Sequence, residues 1–280
     1  MGAIDFRFRP VGTQSITPEL TREYLRKMRL DPAPSFERQD IDLMFQEMDE
    51  AGIEMGVVGV PAPTDKPGFV STTNEVIADI LNRYPGRFVG LGSIDTADPV
   101  RGLEDINHVL ELGMVGLTVE PSTARVSMRF DDRRLYPIYE EAQRRGLFIV
   151  TVMSALLGPY LDDCKPEWVD HVATDFPNLK VVIQHAAWPY SREAVGLCYK
   201  RPNVYLVPGQ YIHYEFAGSE DYVKAANRQL SDQILYGSVY PNCGPLTEVM
   251  EIVDNLGFAN DEIKHKYLEG NARELLGLKS

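Results

Sequence analysis

The sequence predicts a single-domain α/β fold, a (β/α)8 TIM barrel, and three observations carry that prediction. Short apolar runs rich in β-branched and bulky residues recur at 3–8, 56–60, 88–94, 115–119, 147–152, 179–183, 204–207 and 234–236. They alternate little between apolar and polar, as parallel strands covered on both faces do. Amphipathic helical patterns lie between them, and 280 residues with 44% hydrophobic content is a common size for one such barrel. The alternative is an open doubly wound sheet, but no GxGxxG follows an early strand, so a dinucleotide site lacks support.

The first run, Ala-Ile-Asp-Phe-Arg-Phe, is followed by residues 12–35, which break the alternation. They hold a short helical piece, 18–28, and then Asp31-Pro-Ala-Pro-Ser35. An insertion after the first strand lies at the carboxyl end of the barrel, where it either covers a site or makes a surface excursion. The next helix, 39–51, places Ile41, Met44, Phe45 and Met48 at helical spacing and stops at Ala51-Gly52. The helix at 101–112 repeats the pattern with Leu103, Ile106, Val109 and Leu110, and stops at Leu112-Gly113. No linker or low-complexity stretch marks a second domain.

A net charge of -13 argues against nucleic acid and against an anionic membrane surface as partners. Cys164, Cys198 and Cys243 are widely spaced, which indicates neither a disulfide framework nor a CxxC zinc site. The start lacks the apolar stretch of a signal peptide, no run reaches transmembrane length, and Phe6 stands where a myristoylation motif wants Ser or Thr. These features lead us to expect a soluble cytoplasmic protein.

Four stretches carry a family resemblance. They are Tyr-Pro-Gly-Arg-Phe-Val-Gly-Leu-Gly-Ser-Ile-Asp at 84–95, Leu-Gly-Met-Val-Gly-Leu at 112–117, Phe-Pro-Asn-Leu-Lys-Val-Val-Ile-Gln-His at 176–185, and Tyr-Leu-Glu-Gly-Asn-Ala-Arg-Glu-Leu-Leu-Gly-Leu at 267–278. In this order the chain resembles the amidohydrolase-related TIM-barrel hydrolases and decarboxylases, which include the aminocarboxymuconate-semialdehyde decarboxylase type. The resemblance implies a first strand ending in His-x-His, a fifth-strand His, a sixth-strand His and an eighth-strand Asp, all serving a metal. This chain has Arg7-Phe-Arg9, then Ile-Val-Thr-Val-Met-Ser at 149–154, then His185, then Val239. A guanidinium has no lone pair to offer and repels a cation. One His cannot hold a catalytic zinc, which needs about three protein ligands. The expectation is therefore no metal and no other cofactor.

In such barrels the working residues sit at the carboxyl ends of the strands. There the sequence places Arg7, Arg9, Asp95, Glu120, Ser154, His185, Tyr211, His213 and Tyr240. Arg7 and Arg9 lie two apart and share a side, which suits a small anionic substrate. Equally, they are internal counter-ions for Glu120 or Asp95. His185 and Glu120 are the candidates for moving a proton. Ser154, Tyr211, His213 and Tyr240 are candidate substrate contacts, with Trp188 and Tyr205 as further aromatic wall. Asp95 reads as a turn cap and Cys243 as a free buried thiol.

The first expectation is a metal-independent hydrolase of a small carboxylated cyclic or aromatic compound, such as a lactone. A decarboxylase or isomerase of a similar substrate is the alternative. A third reading is a non-catalytic subunit that binds a small anion or serves an assembly, and a homo-oligomer remains open.

Overall fold

The computed structural model describes residues 2–60, 67–70 and 72–278. Seven parallel strands pair in chain order: β1 (Ala3–Phe8), β2 (Ile53–Gly59), β3 (Phe88–Ser93), β4 (Gly116–Thr118), β5 (Phe148–Ser154), β6 (Val181–Trp188) and β7 (Val204–Val207). The eighth expected strand does not form as a regular ladder strand. Its residues belong to a segment, 233–240, that bonds to both edges of the sheet. Toward β7, Leu206 N–H donates to Gln233 and Leu235 N–H to Leu206, both at 2.8 Å. Toward β1, Phe6 N–H donates to Tyr236 at 2.9 Å, Val239 N–H to Arg7 at 3.0 Å and Arg9 N–H to Tyr240 at 3.0 Å. Regularity fails here because Val239 adopts φ 71°, a left-handed conformation that a β-branched residue rarely takes.

The strands carry helices α1 (Pro18–Met28), α2 (Pro34–Arg38), α3 (Ile41–Glu50), α4 (Asn74–Arg83), α5 (Pro99–Glu111) and α6 (Tyr136–Arg145) in the first half. The second half adds α7 (Glu167–Asp175), α8 (Ser191–Lys200), α9 (Gln210–His213), α10 (Glu220–Ala226), α11 (Leu246–Asp254), α12 (Asp261–His265) and α13 (Asn271–Leu276). Local chemistry explains the ends. Thr17, Asp40 and Asp98 cap the first turns of α1, α3 and α5 through their side-chain oxygens, and Pro18 and Pro99 sit where a missing N–H costs nothing.

Apolar side chains divide into two layers. The inner cluster takes Ile4 and Phe6 from β1, Val57 from β2, Leu91 from β3, Phe148 and Val150 from β5, Val182 from β6 and Val207 from β7. Leu235 completes this ring, and Ala272 and Leu275 of α13 pack against it. The larger cluster lies between strands and helices. With its amino end so filled, the barrel presents polar groups at the carboxyl end.

The segment 12–35 lies against that end. Its start is held by Thr17 N–H on Gly68 at 2.8 Å and Val70 N–H on Ser15 at 3.0 Å. Its close is held by Ser35, whose N–H donates to Glu47 at 2.8 Å and whose hydroxyl meets the Tyr240 hydroxyl at 2.8 Å. Between these anchors α1 brings Tyr24 near Tyr211 and Tyr214, and burial pushes its hydroxyl up.

Candidate active site: an arginine pair in the barrel lumen

The site begins with a fault in β1. Asp5 stands opposite Gly56 and Phe8 opposite Val58, so three steps along β1 match two along β2. This is a β-bulge, which bends a strand and re-aims a side chain. Phe6 belongs to the inner cluster and Phe8 to the outer one, where its ring stacks on Tyr240 at 4.7 Å. The extra residue between them is Arg7. It and Arg9 act electrostatically on Glu120, beyond β4, and on His185, on β6. Those strands are not neighbours of β1, so the four groups meet across the lumen.

The two backbone groups that the bulge frees are taken up by side chains. Arg7 N–H donates to Asp5 Oδ1 at 2.9 Å, and the Phe6 carbonyl accepts from Gln184 Nε2 at 2.7 Å. Asp5 Oδ1 also accepts from Ser238 N–H at 3.0 Å, tying β1 to the closing segment.

Arg7 and Arg9 are 9% and 5% exposed, and neither forms an ion pair among the described residues. Arg7 Nε and Nη1 and Arg9 Nε are buried without a hydrogen-bond partner, as are Glu120 Oε1 and His185 Nδ1. Buried donors are nearly always satisfied, so a cluster of vacant ones on two guanidiniums marks a place for an anion. Asp95 does not serve them. It pairs with Arg125 at 2.6 Å and caps Ala97 N–H at 2.9 Å, the turn role read from the sequence.

Burial lowers Arg9 to about 9, helped by the charge of Arg7, so it stays protonated at neutral pH. Burial raises the Glu120 carboxyl above its ordinary value, although Arg9 and Arg7 pull the other way. His185 is held well below the usual imidazole range, first by burial and then by Arg7 and Arg9. At pH 7 the lumen thus offers a neutral imidazole with a vacant nitrogen beside two fixed positive charges.

The remaining expected residues separate into two groups. Tyr211 is brought to the site. Its ring meets His185 edge-on at 5.7 Å and stacks on Trp188 at 4.8 Å, and its hydroxyl bonds Ser154 at 2.6 Å. His213 and Tyr240 are not brought there. His213 turns toward Tyr267, with Nε2 3.3 Å from its hydroxyl, and burial takes it down to about 3. Tyr240 is fully buried on Phe8 with its hydroxyl on Ser35. Both were expected to touch substrate; the short helix α9 and the bulge in β1 turn them away. Cys243 is a buried free thiol that burial pushes up. Sequence reasoning passed over Asp5, Gln184 and Tyr24. The available signal was an acid within an otherwise apolar-and-arginine strand.

The amidohydrolase family profile matches residues 22–278, and the chain belongs to that family. A 2-amino-3-carboxymuconate-6-semialdehyde decarboxylase from Dictyostelium discoideum is 24% identical over 85% of this chain and 77% of its own length. An uncharacterized TIM-barrel protein from Bordetella bronchiseptica superposes with a TM-score of 0.92 at 35% identity, covering 99% of both chains. A 2,6-dihydroxybenzoate decarboxylase from Rhizobium shares the fold, with a TM-score of 0.71 at 15% identity over 99% of both chains.

A metal of the kind the family resemblance implies does not fit the residues present. Among the described residues no three His, Cys, Asp or Glu side chains converge to hold one. Val239 lies beside Gly209, and Gly209 beside His185, so an apolar side chain stands where the eighth-strand acid was expected. Two guanidiniums flank the one imidazole, and like charge in a buried space repels a cation strongly.

Proposed function

We propose that this barrel is a metal-independent hydrolase of a small carboxylated cyclic or aromatic compound, a lactone being the simplest case. The observation that carries the reading is the set of unpartnered Arg7 and Arg9 donors whose charges act on His185, itself with an unpartnered buried nitrogen. The guanidiniums bind the carboxylate and stabilise the oxyanion that develops as the ester carbonyl is attacked. His185 Nδ1 takes a proton from the attacking water while the water oxygen bonds to the carbonyl carbon. Glu120 retains its proton more firmly than an ordinary carboxyl and gives it to the ring oxygen as the C–O bond breaks. Binding an anion offsets the field of Arg7 and Arg9, which raises the basicity of His185 when substrate is present.

A second reading, decarboxylation, is favoured by the names of the Dictyostelium and Rhizobium proteins. The same guanidiniums would stabilise the enolate left when CO2 departs. They count against decarboxylation only if they grip the departing carboxylate, because that stabilises the charge the reaction must remove.

The test is elemental analysis of chain purified without chelator or affinity tag, followed by a panel of carboxylated lactones and aromatic carboxylates. Less than about a tenth of an equivalent of zinc, manganese or iron, with ring opening that survives chelation, supports hydrolysis without metal. CO2 release supports the second reading. Near-stoichiometric metal that is lost with His185→Ala overturns metal independence. Tight anion binding without any turnover makes the chain a binding subunit.

A further inference from the structure

We infer that Asp5 and Gln184 are the positioning residues of the arginine pair, gripping the β1 bulge from its two faces so that Arg7 enters the lumen. The inference rests on the anion-binding role proposed above for Arg7 and Arg9.

A bulge leaves one N–H and one C=O of the strand without ladder partners, and buried backbone groups are expensive to orphan. Here each is met by a side chain. Asp5, on the outer face, takes the Arg7 N–H at 2.9 Å, and Gln184, facing the lumen, gives its amide to the Phe6 carbonyl at 2.7 Å. The bond from Ser238 N–H to Asp5 Oδ1, at 3.0 Å, and that from Val239 N–H to the Arg7 carbonyl, at 3.0 Å, lock the same turn to the closing segment. Without both side chains β1 gains by returning to regular alternation. Phe6 would then still face inward while Arg7 and Arg9 both turned outward, and the lumen would lose both guanidiniums.

A neutral acceptor would serve Arg7 N–H as well as an acid does. Asp5 is completely buried, and its Oδ2 has no partner. What the carboxylate adds is a charge behind Arg7, opposing an anion held in front of it. The groups facing Asp5 are Arg7 on β1, Tyr236 and Ser238 on the closing segment, Cys243 after it, and Tyr267. Across the lumen Arg7 also faces Glu120 and His185. Burial holds Asp5 up at about 6, so its charge appears within the range where anion affinity can be measured.

The test uses the full chain and benzenesulfonate, an aromatic anion that stays ionised across this range. Trp188 is stacked on Tyr211 at 4.8 Å and gives a fluorescence signal for occupancy. Asp5→Ala and Gln184→Leu should each weaken binding at least about tenfold with the circular dichroism spectrum unchanged, and Asp5→Asn should restore it to within about threefold. The Asp5→Asn profile should also lack a step present in the parent chain, whose affinity falls further as pH rises through about 6. Glu120 and His185 titrate in both proteins, so the ratio of the two profiles isolates Asp5. If Asp5→Ala fails to fold, Gln184→Leu and the paired profiles decide. Parent-like affinity in Gln184→Leu, together with parallel profiles, overturns the inference. If the parent chain binds no anion and Arg7→Met changes nothing, the arginine reading itself falls, and this inference falls with it.

Discussion

Replacing Asp5 by Asn keeps an oxygen for the N–H groups of Arg7 and Ser238 but removes the ionisable group. The carboxyl is fully buried and stands at about 6 against an ordinary 3.8, chiefly because burial penalises its charge. Between those two values the unfolded chain releases the proton while the folded one keeps it. Stability attributable to Asp5 is therefore greatest below about 4 and falls as pH rises, the full loss being reached above about 6. The two values correspond to about 3 kcal/mol. Asp5→Asn should match the parent chain near pH 4, apart from a constant offset, and gain about 3 kcal/mol on it by pH 7. In a chain of this size that is about 5 °C in Tm. Chemical denaturation of both proteins at half-unit pH intervals measures the difference directly. Curves that run parallel from pH 4 to pH 7 would falsify the upward shift of Asp5 in the folded chain, and would move the cause of any pH dependence to Glu120.

Arg9→Met removes a buried charge that has no ion-pair partner, so it should abolish anion binding yet leave the fold as stable, or more so by about 1 kcal/mol in denaturant. Gly237→Ala would put a Cβ 2.6 Å from Val207 Cγ1 and 2.8 Å from Arg7 Cβ, and should cost about 2 kcal/mol because neither strand can retreat. Ser35→Ala breaks the link between the insertion and Tyr240; about 1 kcal/mol of stability should go, with benzenesulfonate affinity unchanged. Burial, and then Arg7 and Arg9, hold His185 below the usual imidazole range, so an anion that offsets the two guanidiniums should bind with proton uptake. Calorimetry in buffers of different ionisation enthalpy reads that uptake, and His185→Asn should abolish it.

The barrel was legible because its determinants are local. Apolar runs such as 204–207 and the helix 18–28 coincide with β7 and α1, where periodicity and caps decide the ends. At β6 the run was read as ending at Ile183, yet the strand continues to Trp188 through His185, Ala186 and Ala187, all with positive φ. No composition rule announces three left-handed residues in a row; they fall where the register with β5 shifts and pairing with β7 has ended. The arginine pair was visible from spacing alone, but for an incomplete reason. Two residues apart share a face only on a regular strand, whereas Arg7 sits in the bulge and Arg9 one residue past the end of β1. The bulge itself was hidden, since its partners Gln184 and Ser238 are distant in the chain. Tyr240 and His213 were misplaced for the same cause. Adjacency to a strand end does not say which way a short turn will face them.

The segment that closes the barrel has a mechanical consequence. Strands β2 to β6 have ladder neighbours on both sides and β1 and β7 on one, whereas 233–240 is joined to β7 and β1 by isolated bonds and by the Asp5 carboxylate. That makes it a seam. When the molecule breathes, amides of Leu235, Ser238 and Val239 should exchange with solvent before those of β5 and β6, which share the longest register. The guanidinium of Arg7 hangs from one lip of this seam and Val239 from the other. Opening it by a few ångströms would unload the anion pocket without disturbing the rest of the wall, so the rates of ligand release and of seam exchange should rise and fall as one quantity.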